Sequence, residues 1–114
     1  MYTLKRGVAL FMSAQIEQML TVMEPVYLAF KVPLVITSGL DGPHRSDSLH
    51  YRFLAFDVRK KFDNVELSEN WNIHSKTILA TLRENFRIKN MPVDMVHEID
   101  HIHAEWDEKG GKKL

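Results

Sequence analysis

The strongest constraint on this chain is a change of period within its first third. Ile16, Met19, Leu20, Met23, Tyr27 and Phe30 recur at the three-to-four spacing of one helix face, whereas the next apolar run, Pro33-Leu34-Val35-Ile36-Thr37, is short and β-branched. An amphipathic helix followed directly by a buried strand leaves each with an apolar side that the other can cover. Ser13 fits the N-cap of that helix. Pro25 interrupts the stripe and cannot donate an interior hydrogen bond, so the spacing predicts a kink or a break there. Ser38-Gly39 and Asp41-Gly42-Pro43 stop the strand, and a loop rich in Ser, Asp and His runs on to His50.

The rest of the chain repeats the alternation. Tyr51 to Arg59 reads as a second strand, and Lys60 to Ser68 as a polar connection. The run from about Glu69 to Phe86 carries Trp71, Ile78, Leu82 and Phe86 on one stripe and reads as a second helix. After Pro92, Val93–Val96 and His101–Trp106 read as two strands joined by a turn around Ile99-Asp100, with a frayed Gly110-Gly111-Lys112-Lys113 tail. This order predicts a single α+β domain over 1–114, a small, mostly antiparallel sheet flanked by helices. With 114 residues, 45% of them apolar, the chain suits one core and not two. The methionines and the aromatics Phe30, Phe56 and Trp71 stand at core spacing.

Charge and cysteine content narrow the partners. Fifteen Lys plus Arg balance fifteen Asp plus Glu, and each half balances separately, so no basic field is available to collect nucleic-acid phosphates or an anionic bilayer. No apolar run approaches the roughly 18 to 20 residues of a membrane span. Lys5-Arg6 before Gly7-Val8-Ala9-Leu10-Phe11-Met12 imitates a signal peptide, but no small-residue cleavage site precedes Gln15 and Glu17, so we expect mature sequence with no export signal. Without cysteine, any metal must be held by imidazole and carboxylate.

Five of the six histidines lie in two windows, His44 and His50 in one and His97, His101 and His103 in the other. Each window adds carboxylates, which together look like two halves of a His/Asp metal site.

The segment Ser48-Leu49-His50-Tyr51-Arg52-Phe53-Leu54-Ala55-Phe56-Asp57, introduced by Ile36-Thr37-Ser38-Gly39, resembles the Ser-x-His-x-x-Gly-x-Ala-x-Asp signature of zinc D-alanyl-D-alanine carboxypeptidases and phage L-alanyl-D-glutamate endopeptidases. Asp100-His101-Ile102-His103-Ala104-Glu105 resembles that family's closing Asp-x-x-His-x-Glu element, and Leu4-Lys5-Arg6-Gly7-Val8 resembles the opening of its short phage-encoded members. The resemblance implies zinc held by His50, Asp57 and His103, with Asp100 as general base. It implies hydrolysis of a peptidoglycan stem peptide by a phage- or prophage-encoded protein that is cytoplasmic until released, or carried in the virion. Two imidazoles and one carboxylate leave the fourth tetrahedral position for water, the open arrangement of a catalytic zinc. Two positions depart from the family. Phe53 stands where the signature has Gly, and Asp41 stands where many members place a substrate-clamping Arg. On the substrate side this leaves Arg45, His44 and Ser48, with Arg52 as a further candidate.

Strand geometry adds its own conditions. His50 and Asp57 are an odd number apart, so His50 must lie on the loop before the strand that carries Asp57. Asp100 must likewise lie in the turn if it is to work beside His103, while His101 and Glu105 share the face of His103. Glu105 is then the candidate partner for an imidazole N–H, and His101 a competing ligand. His97-Glu98-Ile99-Asp100-His101 also matches H-E-x-x-H, but that motif works on a helix, which Pro92 and the β-branched residues disfavour. The non-enzymatic alternative is a catalytically degenerate module that binds cell-wall peptide or serves in a phage structure.

Overall fold

Helix α1, Ala14–Ala29, begins as its cap foretells: Ser13 Oγ accepts the Ile16 N–H at 3.1 Å. The computed structural model describes residues 2–10, 12–39 and 54–107. Strand β1 is Tyr2–Leu4, β2 Leu34–Ser38 and β3 Ala55–Arg59; helix α2 is Val65–Ile88, and β4, Val93–His97, and β5, His101–Trp106, close the order. Among the described residues five strands form one mixed sheet in the order β1-β2-β3-β5-β4, in which β1–β2 is the parallel pair and the others are antiparallel. The chain is therefore α+β, as expected, with the antiparallel pairs in the majority.

Four details correct the sequence reading. β1 was not anticipated: its three residues become a strand by pairing with β2, thirty-two positions further on. Of the kink or break expected at Pro25 the break is absent: the helix runs on through it, with Val22, Met23, Val26 and Tyr27 on either side all buried. Phe30 is the C-cap and not part of the helix, half-buried with its ring centroid 5.1 Å from that of His74. The polar connection ends at Asn64, not Ser68. Asn64 Oδ1 accepts the Leu67 N–H at 3.0 Å, so α2 starts four residues before its first apolar stripe residue would place it.

Both helices end in the same closure. Lys31 and Asn90 take left-handed φ values of 58° and 57°, and the following N–H groups of Val32 and Met91 return to the carbonyls of Tyr27 and Phe86. Each helix thus feeds directly into the strand after it.

One face of the sheet presents Leu34, Ile36, Phe56, Val58, Met95, Ile102 and Ala104, which join Ile16, Met19, Met23, Ile78, Leu82 and Phe86 in a single buried cluster. Both helices therefore lie on that face. Tyr27 stacks on Trp71 within this layer, with ring centroids 6.2 Å apart, and its hydroxyl is buried without a hydrogen-bond partner among the described residues. Burial also pushes the phenol's pKa upward. Tyr27→Phe keeps the ring and removes the orphaned hydroxyl, so it should raise stability by up to about 1 kcal/mol, read from urea unfolding.

Candidate metal centre

The other face of the sheet carries the chemistry. In the antiparallel register Asp57 of β3 lies opposite His103 of β5, Ala55 opposite Glu105 and Arg59 opposite His101. Ile102 and Ala104, between these residues, point into the core. A register irregularity in β2 between Ile36 and Ser38 sets Ser38 opposite Asp57 on its other side.

Asp57 Oδ1 stands 2.9 Å from His103 Nδ1, and Glu105 Oε1 stands 2.7 Å from His103 Nε2. Asp57 and His103 are largely shielded, their side chains 13% and 18% exposed. His101 Nε2 is 3.7 Å from the same Asp57 oxygen and 3.4 Å from Glu98 Oε1, while its Nδ1 meets Asp100 Oδ1 at 2.6 Å. Carboxylates and imidazoles therefore alternate along the face in the order Asp100, His101, Asp57, His103, Glu105.

Asp57 and His103 come together as required. Asp100 lies in the bend before β5, its side chain 73% exposed, and its link to the pair runs through His101. The His101 hydrogen bond holds the Asp100 carboxyl below the usual carboxylate range, so it stays ionised at neutral pH. Glu105 meets the His103 ring as expected. His44, Arg45, Ser48 and His50, with Asp41, Arg52 and Phe53, lie outside the described residues. Among the described residues no three His, Asp or Glu side chains converge as a metal-binding group. The alternative H-E-x-x-H arrangement is excluded, since its residues form no helix but span the end of β4, the bend and the first residue of β5. His97 pairs with Ile102 and so faces the helix side, away from His101.

The Asp57–His103 pair fits a metal in donor chemistry and nearly in spacing. Two donors about 2.0 to 2.2 Å from a tetrahedral ion stand roughly 3.4 Å apart, so this pair would open by about half an ångström. A metal on Nδ1 would leave Nε2–H bonded to Glu105, the partner that fixes a ligand imidazole's tautomer and orientation.

Without a metal, both ring nitrogens of His103 face carboxylate oxygens, which favours the imidazolium. Its pKa is raised, first by the hydrogen bond to Asp57 and then by that to Glu105, against the opposing effect of burial. Because the folded-state value is raised, the stabilisation is fully present below the unfolded value near 6.5 and is lost as pH rises through the folded value. In the metal-free protein, the His103 ring should titrate by NMR above the ordinary imidazole value. Zinc should bind with release of that proton and more weakly in acid.

No family model, no curated protein and no solved structure matches the chain.

Proposed function

We propose that this protein is a zinc-dependent peptidase that hydrolyses peptidoglycan stem peptides, at the D-Ala-D-Ala or the L-Ala-D-Glu bond, and is of the short phage- or prophage-encoded kind. The observation that carries the reading is the meeting of Asp57 and His103 at 2.9 Å on the sheet face opposite the helices. They are the two described residues that the motif resemblance nominates as ligands, and they come from elements 46 residues apart in the chain. His50 would complete the set.

A zinc ion held there would supply Lewis acidity, polarising the scissile carbonyl and making water acidic enough to attack near neutral pH. The chain's own residues would do the remaining work. Glu105 orients the His103 ring through Nε2, and Asp57 places its carboxylate beside Nδ1. Asp100, ionised and at the exposed end of the series, accepts the proton of the attacking water on a carboxylate oxygen. It then returns that proton to the leaving nitrogen as the C–N bond breaks. His101, donating to Asp100, holds that carboxylate toward the pair.

The test is incubation of the zinc-loaded protein with a defined stem pentapeptide, before and after chelation. Chelator-sensitive release of D-alanine, or scission between L-Ala and D-Glu, supports the reading and identifies the bond. Saturable peptide binding with no cleavage under zinc would replace it with the non-catalytic binding module. Neither binding nor cleavage would end both.

A further inference from the structure

On the helix side of the sheet, away from the Asp57–His103 pair, a second cluster of ionisable groups has no part in the proposed hydrolysis. Lys60 follows β3, His97 ends β4 and Arg83 lies on α2. Lys60 Nζ donates to His97 Nε2 at 2.9 Å. An ammonium has no acceptor to offer, so Nε2 must be the unprotonated nitrogen of a neutral ring, and Nδ1 must carry the hydrogen. Burial, Lys60 and Arg83 all act to keep that ring neutral.

The three groups are held in place. The His97 ring meets the buried Trp71 ring edge-on, with centroids 6.3 Å apart. Arg83 Nη2 donates to the Met95 carbonyl at 2.7 Å, two residues before His97 on the same strand face. Each group has hydrogens to spare: two on the ammonium, one on His97 Nδ1 and four on the guanidinium. Among the described residues, neither Lys60 nor Arg83 pairs with a carboxylate. Among the described residues the cluster therefore consists of donors only, with two positive charges that no carboxylate beside them balances.

We propose that Lys60, His97 and Arg83 form a binding site for a phosphate dianion. Its two negative charges match the two cations, and its several acceptor oxygens can receive hydrogens from three directions, which a single carboxylate satisfies less well. His97 contributes as a neutral Nδ1–H donor. Arg83, anchored by one of its five N–H groups, presents the others. The site is independent of the zinc reading, since it uses neither the expected ligands nor the residues that touch them.

The experiment is an NMR titration of the isotope-labelled, full-length protein with inorganic phosphate at neutral pH and fixed ionic strength, following the His97 ring and the Trp71 indole. We expect a saturable shift of both in the millimolar range, with chloride and acetate producing little. Lys60→Gln, at a site outside the core, should fold normally and weaken phosphate roughly tenfold, the effect of removing one charge-assisted donor. Tighter binding of glycerol 3-phosphate than of inorganic phosphate would place the dianion on a larger ligand, and equal binding would make the free ion sufficient. The proposal is overturned if phosphate shifts the ring no more than chloride does, or if Lys60→Gln binds phosphate as well as the parent. It is also overturned if ring nitrogen shifts show His97 charged, or protonated at Nε2, in the phosphate-free protein.

Discussion

Replacing His103 with Ala should remove zinc and bring stem-peptide cleavage to background, the largest loss expected of any described residue. The substitution deletes the nitrogen donor of the Asp57–His103 pair. It also leaves the Asp57 and Glu105 carboxylates without the imidazole that bridges them. Two consequences follow. The rise in melting temperature that zinc gives the parent should vanish, because a ligand stabilises a fold only as far as it binds it. The metal-free variant should also be less stable than the metal-free parent in mild acid, where the parent's imidazolium is charged. Glu105→Gln makes the informative contrast. It keeps the metal donors and should reduce zinc affinity by roughly 10- to 100-fold, the usual cost of losing a ligand's orienting partner. Metal content of the purified variants and calorimetry with and without zinc separate these outcomes. Full zinc and cleavage in His103→Ala would move the nitrogen ligand to His101, which already stands 3.7 Å from Asp57 Oδ1.

Asp100→Asn should lower the turnover number by roughly a hundredfold or more while leaving zinc content unchanged, as loss of a positioned general base does. The amide is isosteric and can still accept from His101, so the bend before β5 should persist. Glu98→Gln should change little: Glu98 stands 3.4 Å from His101 Nε2, on the side of the ring away from Asp100. Single-turnover rates beside KM for both variants decide the matter. If Glu98→Gln is the crippled enzyme and Asp100→Asn is active, the base has been misassigned and the proton leaves by way of the His101–Glu98 contact. If both keep full activity, neither carboxylate is the base.

The parts of the fold with strong periodicity could be read without coordinates. The stripe of α1, the apolar middle of α2 and the alternation of β5 each repeat over enough residues to declare their side. β1 could not, because three residues carry no measurable period and the strand exists only through β2. The first turn of α2 escaped for a related reason: Val65 and Glu66 are exposed, so the stripe starts later than the helix. Its one sequence signal was Asn64 three positions before Leu67, a cap that hydrophobic spacing does not register. The Asp57–His103 pair was legible because its residues fall on strands whose parity decides which side they face. Glu105 was legible by the same parity. The link that His101 makes from Asp100 to Asp57 was not, since a bend residue and its strand neighbour obey no fixed parity. Neither was the meeting of Lys60 and His97, which depends on strand order and not on spacing.

The alternation along β5 also bears on how reliably the chain reaches one fold. A strand that slides by a single residue against its neighbours turns every side chain over. For β5 that error would drive His101, His103 and Glu105 into the layer now filled by Ile102 and Ala104, both fully buried, and lift those two into water. Three ionisable groups would then enter the apolar layer without the partners they have on the open face, a cost of several kcal/mol. His103, which would hold the metal, and its strand neighbours His101 and Glu105 thus act during folding as a ratchet against misalignment. Replacing all three with apolar residues of similar volume should leave a chain that collapses readily but chooses its strand alignment poorly.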